Sequence, residues 1–313
     1  MAMYWAEKLL LIKSETDYGA DPNPTEAADA ILASDVKLSP MEGQDVSREL
    51  ERTYMGAQPT VAAGLHSKIT FKVEMKGSGT AGTAPAIAPI FNACAFVESV
   101  SGGEVIYTRL GRGADHGSAT VYINIGGILY KMLGARGTAK LTVNAQGIAY
   151  LECEITGLFT MPEDQTPPTA TYGSQLTLVP VVSTTENTPL FTIGGVQMVM
   201  NSFTLDFGNT VELRNWIGSD SVIISAITES VQTKIEAVPL ATWNPYDLAK
   251  AGTTQVLRLT NGIEAGNIVD VGIDALQIQR PSTIDQTQGI VDWTIQGVPQ
   301  PISGNDQLTI TFR

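Results

Sequence analysis

The sequence predicts a mainly β protein with short helices, laid out as two similar halves in tandem. Three observations carry that expectation. Apolar and polar residues alternate with a period of two in many short runs. Gly, Asn and Pro punctuate those runs at the short intervals of antiparallel sheets, and helical patterning is confined to two brief stretches.

Residues 67–75 set Ile69, Phe71, Val73 and Met75 on one face and Lys68, Thr70, Lys72 and Glu74 on the other, the pattern of a strand with one face in a core. Residues 85–96 follow as a short helix with Ile87, Ile90, Phe91 and Ala95 on one side and Pro89 in its first turn. Strands are then predicted at 119–125, 139–143 and 148–155. Residues 160–190 hold Pro162, Pro167, Pro168, Pro180 and Pro189 among Thr and Ser, which suits an extended linker. Beyond it, strands are predicted at 196–205, 222–227, 256–259, 291–295 and 308–312. Between them, residues 244–252 read as a helix with Asn244 as N-cap, Pro245 at the first helical position and Gly252 as stop. The organisation expected is a first domain with an N-terminal arm at 1–159, a linker at 160–190 and a second domain at 191–313.

The two domains resemble one another. Leu38, Gly43, Val46 and Arg48 find counterparts in Leu205, Gly208, Val211 and Arg214, 165 to 167 residues on. Lys68-Ile69 matches Lys234-Ile235 at 166, the helix Pro89 matches Pro245 at 156, and Gln146-Gly147-Ile148 matches Gln288-Gly289-Ile290 at 142. A spacing that falls steadily along the chain is what a duplicated domain gives when its second copy has shorter loops. Chance likeness of two β-rich halves is the alternative.

Composition excludes several classes of function. The 32 acids against 19 Lys and Arg leave a net charge of −13, which repels a polyanion instead of releasing its counterions. The acids are spread through both halves. Cys94, Cys153, His66 and His116 are too few for a disulfide framework or a four-ligand zinc site, so two buried or neutral thiols are expected, with no metal and no cofactor. No stretch approaches a membrane span. Met1-Ala2-Met3-Tyr4-Trp5-Ala6-Glu7 has no basic run followed by an apolar one, so synthesis ending in a reducing cytoplasm is expected.

Motifs for chemistry are weak. Gly77-Ser78-Gly79-Thr80-Ala81-Gly82 has the G-x-G-x-x-G form, but Pro85 and Pro89 interrupt the helix whose N-terminus should face a pyrophosphate, so a flexible Gly-rich loop is expected. Glu152 with Glu154, and Glu49 with Glu51, are acids at spacing two on one strand face, more in keeping with a solvated wall than with carboxylates converging across a cleft. No enzyme is expected.

Residues 43–59 are long and alternately charged, with Arg48, Glu49 and Arg52 leading to Tyr54 and Met55. They read either as a mobile loop or as a contact arm, since Arg and Tyr among carboxylates suit interfaces built from complementary pairs. Residues 208–233, with Arg214, Asn215 and Trp216, read as a second arm. Arg48, Glu49, Arg52, Tyr54, Arg214 and Trp216 are the candidate inter-subunit contacts.

The chain also resembles the major tail tube proteins of long-tailed phages with non-contractile tails. The likeness rests on residues 15–25 (Glu-Thr-Asp-Tyr-Gly-Ala-Asp-Pro-Asn-Pro-Thr), on Leu38-Ser39-Pro40-Met41-Glu42-Gly43, on Arg48 and Arg52, and on residues 77–85 leading into Ile90-Phe91-Asn92-Ala93-Cys94-Ala95-Phe96. It covers the first 160 residues directly and the rest through the repeat. The family's Cys is usually followed by Gly, where this chain has Ala95. The resemblance implies two tandem tail-tube-like β-sandwich or barrel domains that contribute strands to an inter-subunit β-barrel. It implies a virion structural protein polymerising into stacked rings, made in the host bacterial cytoplasm, with genomic DNA ejected through the channel. Implied partners are further copies of the chain, as a homotrimeric pseudo-hexameric ring or a hexamer, the tape measure protein, tube-terminating or tip proteins, and double-stranded DNA in unspecific passage. An acidic β-sandwich carbohydrate-binding or adhesive protein is the alternative that composition leaves open.

Overall fold

The computed structural model describes residues 4–113, 116–166, 168–281 and 283–313; Met1 to Met3 of the opening stretch and Pro167 of the linker lie outside them. In chain order, β1 (Lys8–Ser14), β2 (Ala30–Ile31), β3 (Ser34–Ser47) and β4 (Thr60–Glu74) precede helix α1 (Ala88–Ala93). Next come β5 (Phe96–Ser101), β6 (Glu104–Arg109), β7 (Ala119–Ile125), β8 (Ile128–Asn144), β9 (Tyr150–Phe159) and β10 (Glu163–Asp164). Helix α2 (Ser174–Thr177) leads to β11 (Leu190–Ile193), β12 (Val196–Gln197), β13 (Met200–Asp206), β14 (Asn209–Trp216), β15 (Ser219–Ile227) and β16 (Ser230–Glu236). After α3 (Pro245–Ala251) come β17 (Thr254–Asn261), β18 (Val269–Ile278), β19 (Ile284–Thr287), β20 (Ile290–Pro299) and β21 (Thr309–Phe312). With 53% of residues in strands and 6% in helix, the mainly β class is as predicted.

Local chemistry accounts for the helices. The Asn244 side chain accepts hydrogen bonds from the Tyr246 and Asp247 backbone N–H groups, 3.1 and 3.3 Å away, and Gly252 closes α3 in the left-handed conformation at φ 65°. Pro89 sits in the first turn of α1, where its missing N–H costs nothing. That helix ends sooner than predicted because Ala95 takes φ 63°, a left-handed turn that glycine adopts with less strain.

Antiparallel pairing joins eight strands in the order β3-β4-β9-β8-β13-β16-β20-β19. Its centre is the β8–β13 ladder, where Leu141 lies opposite Leu205 and Lys140 opposite Asp206. Neither β3 nor β19 has a partner on its outer side among the described residues, so the sheet does not close within one chain. The first part of β8 pairs instead with β7, which continues to β1 and β2. A further series runs β12-β11-β17-β18-β21-β6-β5, and through it the β5/β6 hairpin of the first half joins a sheet made otherwise from the second half.

The apolar faces of these series share one core. Ile69, Phe71, Val73 and Met75 of the first alternating run are all buried in it, as predicted. Where the halves meet, Phe91 stacks on Tyr107 at 4.4 Å between centroids, and Phe96 lies 4.9 Å from Phe207. The described part of residues 160–190 packs on both halves, with Ser183 and Thr188 reaching Asn261 of the second. The Lys76 ammonium donates to the Gln175 and Leu178 carbonyls at 2.7 and 3.2 Å, and the Gln146 and Ser183 N–H groups donate across to Ser183 and Gly147 at 2.9 and 2.8 Å.

Candidate assembly surfaces

Two hairpins leave the sheet as arms. The outer part of β3/β4 exposes both its faces, and β14/β15 forms a two-stranded sheet of its own. A ribbon wetted on both sides buries too little apolar surface to hold its place unaided, so such arms depend on what they are anchored to and on what they meet. At the tip of the first arm the Gln58 side chain clamps Leu50, accepting from its N–H and donating to its carbonyl at 3.1 and 3.0 Å. Arg48, Glu49, Arg52 and Tyr54 are exposed there, with Glu49 in a left-handed turn at φ 47° and the Arg52 guanidinium 5.8 Å from the Tyr54 ring. On the second arm Arg214 covers the Trp216 ring at 3.9 Å, and Trp216 is still 66% exposed. The six predicted contact residues thus form two clusters. A groove of about 810 Å³ separates the arms, with Gly64 and His66 on one wall and Arg214 and Trp216 on the other.

Anchoring of the second arm involves residues that the sequence does not mark. Arg109, at 0% exposure, is among the largest fully buried side chains of the described residues. Its Nε donates to Glu229 at 2.7 Å, Nη1 to the Cys94 carbonyl at 2.7 Å, and Nη2 to the Asn209 Oδ1 at 3.0 Å and to the Phe207 carbonyl. Phe96 lies 4.3 Å from the guanidinium on one side and Phe207 5.4 Å on another. Phe207 and Asn209 are where the chain leaves β13 for the arm, and Glu229 is where it returns to β16. One guanidinium therefore holds both strands at the hinge. Burial draws its pKa down and Glu229 opposes that.

A second anchor lies farther out. The Tyr18 hydroxyl accepts from the Val222 N–H at 2.6 Å, while Arg136 donates to the Val222 carbonyl at 2.9 Å and lies 4.9 Å from the Tyr18 ring. Burial raises the Tyr18 pKa. The loop carrying Tyr18 is fixed by Glu15, whose carboxylate accepts from Gly19 N–H, Gly134 N–H and the Ser118 and Thr120 hydroxyls at 2.6 to 2.8 Å. The segment 15–25 thus holds the arm in place.

The polar face of the eight-stranded sheet mixes charges of both signs. Its acids are Asp35, Glu42, Glu74, Glu152, Glu154, Asp206, Glu236, Asp285 and Asp292, nine in all, against Arg136 and the five lysines Lys37, Lys68, Lys72, Lys140 and Lys234, a balance of 6 − 9 = −3. Three of the lysines are tied to carboxylates. Lys68 lies 2.6 Å from Glu154, Lys72 lies 3.1 Å from Glu152 and 3.4 Å from Asp35, and Lys234 lies 3.4 Å from both Asp285 and Asp292. Glu152 lies opposite Lys72 and Lys140, and Glu154, opposite Thr70 and Thr138, reaches Lys68 diagonally, so both carboxylates stand among lysines on the wet face, as a solvated wall requires. Hydrogen bonds to Glu152 and Asp35 hold the Lys72 pKa above that of an ordinary lysine.

The Gly-rich run is a packing seam. Gly79 N–H donates to the Gly266 carbonyl at 2.9 Å and Gly77 N–H to Asn267 Oδ1 at 3.2 Å, and a side chain at Gly77 would run into the Gly266 backbone. These glycines let a loop of the first half lie directly on one of the second. Cys94 and Cys153 are free and buried, and burial pushes the Cys94 thiol up to about 12. Among the described residues no group of three or more His, Cys, Asp or Glu is placed to hold a metal ion, and no helix is long and apolar enough to cross a membrane.

Compared with known proteins, residues 5–312 match the sequence model of a family described as phage tail tube protein. No curated protein matches the chain.

Proposed function

The chain belongs to the phage tail tube protein family, a structural component of the virion tail, and we propose that it polymerises into stacked rings whose channel carries double-stranded DNA out of the particle. The observation that supports this reading is the eight-stranded sheet with an open edge at each end. Its two edges differ, so copies join head to tail, and such contacts close into a ring when the rotation allows. Three copies supply 3 × 8 = 24 strands. At a spacing of about 4.8 Å and a tilt of about 45°, these enclose a barrel about 50 Å across at the backbone and roughly 40 Å between side chains, wide enough for a duplex.

Three copies suffice if residues 1–159 and 191–313 are copies of one domain joined by 160–190, and the order of elements supports this. The series β1, β2, β3, β4, α1, β7, β8, β9 has its match in β11, β12, β13/β14, β15/β16, α3, β17, β18/β19, β20, and β10, at the start of the linker, pairs with β8 as β21 pairs with β18. Gln146 and Gln288, each before a Gly, both turn at positive φ, 61° and 55°. The β5/β6 hairpin is the one large addition.

In the proposed ring the polar sheet face lines the channel, and the arms, with Arg48, Glu49, Arg52, Tyr54, Arg214 and Trp216, meet neighbouring rings or subunits. A tape measure protein and tube-terminating proteins complete the tail, which is assembled in the host cytoplasm. Negative-stain microscopy of concentrated protein tests the reading: tubes whose cross-sections average to true three-fold symmetry are expected. Six identical chains per ring would remove the duplication, and isolated globules at every concentration would remove the tube.

A further inference from the structure

We infer that β19 of one copy pairs antiparallel with β3 of the next, with Asp285 opposite Lys37 and Ile284 opposite Leu38. This rests on the ring reading and adds which strands close the ring and in what register. The β8–β13 junction is the template. There Asn144, the last strand residue before the turn at Gln146-Gly147, lies opposite Ser202, Thr142 opposite Thr204, and Leu141 opposite Leu205. Strand β19 ends at Thr287 before Gln288-Gly289, one residue nearer its turn than Asn144 is, and Asp285 corresponds to Thr142 because their hairpin partners Asp292 and Tyr150 are 142 residues apart, as the two Gln-Gly turns are. Strands β13 and β3 correspond through Leu205 and Leu38, which face Val231 and Ile69 on the apolar side of their hairpins; Val231 and Ile69 in turn face Gly297 and Ile155, 142 residues apart, so the fold sets Ile69 against Val231 and not against Ile235, its match in the sequence. Replacing β8 by β19 and β13 by β3 turns Thr142–Thr204 into Asp285–Lys37 and Leu141–Leu205 into Ile284–Leu38.

Side-chain chemistry selects this register from its neighbours. Only shifts by two residues keep Asp285 and Lys37 on the same face. One such shift sets Asp285 against Asp35, a like-charge pair. The opposite shift sets Ile284 against Pro40, which has no N–H to give to the ladder. The inferred register instead extends the charge mosaic, since Asp285 already holds Lys234 at 3.4 Å; the Gln286 N–H, and after it that lysine, keep its pKa below the usual carboxylate range. It also covers Ile284, which is 65% exposed although Trp293, opposite it on β20, is buried.

The test is covalent trapping in assembled protein. Oxidised Lys37→Cys/Asp285→Cys chains should run as linked dimers and trimers on a non-reducing gel, with the buried Cys94 and Cys153 silent. Ser39→Cys/Asp285→Cys and Asp35→Cys/Asp285→Cys should link at least about fivefold less, because diagonal neighbours lie roughly 7–8 Å apart against about 4.5–5.5 Å for direct ones. Where cysteines prevent assembly, charge exchange replaces them: Lys37→Glu and Asp285→Lys each lower the pelleted tube fraction, and the double exchange restores it. Tubes that link only through a shifted pair, or a double exchange no better than the single variants, would overturn the register and leave the ring standing. An unaltered chain that never forms rings would overturn both.

Discussion

Arg109 shows how one side chain can hold a junction. It brings a charge into the core and offsets that cost with Glu229 and three further acceptors. Removing the guanidinium leaves Glu229 buried beside Gln307, 3.2 Å away, and leaves the Cys94 and Phe207 carbonyls without this donor. Arg109→Met is therefore expected to cost about 3–5 kcal/mol of unfolding free energy, read from the urea midpoint. A loss under about 1 kcal/mol would mean that the hinge does not depend on the pair. Nothing in the sequence separates Arg109 from an exposed arginine, because its partner Glu229 is 120 positions away.

At the scale of elements, legibility followed exposure. Strand β4 and helix α3 are readable because one has a wet face and a dry one and the other carries its own caps. Strand β1 is not, since four consecutive apolar residues are buried on both faces and leave no alternation. Strand β3 is broken by Pro40, Gly43 and three register shifts. The β5/β6 hairpin did carry a signal, Gly102-Gly103 between two short runs that hold Phe96, Val97 and Val100 on one side and Val105, Ile106 and Tyr107 on the other. Both arms are legible as charged loops, but their anchors are not, because Tyr18 and Arg136 reach Val222 only in the fold. The arms also give a direct test. Arg48→Glu with Arg52→Glu should shorten or abolish tubes in micrographs while leaving the thermal midpoint within about 2 °C, because both side chains are exposed at a tip. Tubes of normal length would remove these two arginines from the contact.

For the whole molecule, the −13 net charge says less than its placement. The polar sheet face carries −3 per chain, or 3 × −3 = −9 in a ring of three, and its bases are five lysines, three of them held by carboxylates, and Arg136, whose guanidinium is taken up by the Gly117, His116 and Val222 carbonyls. Lysine is a point charge without the planar fork by which arginine grips a phosphate. Assembled tubes are thus expected to leave duplex DNA in the supernatant of a pelleting assay at about 50 mM salt, where phosphate contacts are strong. Co-pelleting that vanishes as salt rises would show an adhesive channel instead. The β5/β6 hairpin has a mechanical consequence. Inside each chain the halves are joined by the β8–β13 ladder, the β6–β21 strap, the Arg109 hinge and the glycine seam. The proposed joints between chains have the edge pairing without that strap. A ring of three would then alternate stiff and compliant seams, so a bending tail would concentrate its strain at three places per ring, and a tube under tension would part between chains before any chain came apart.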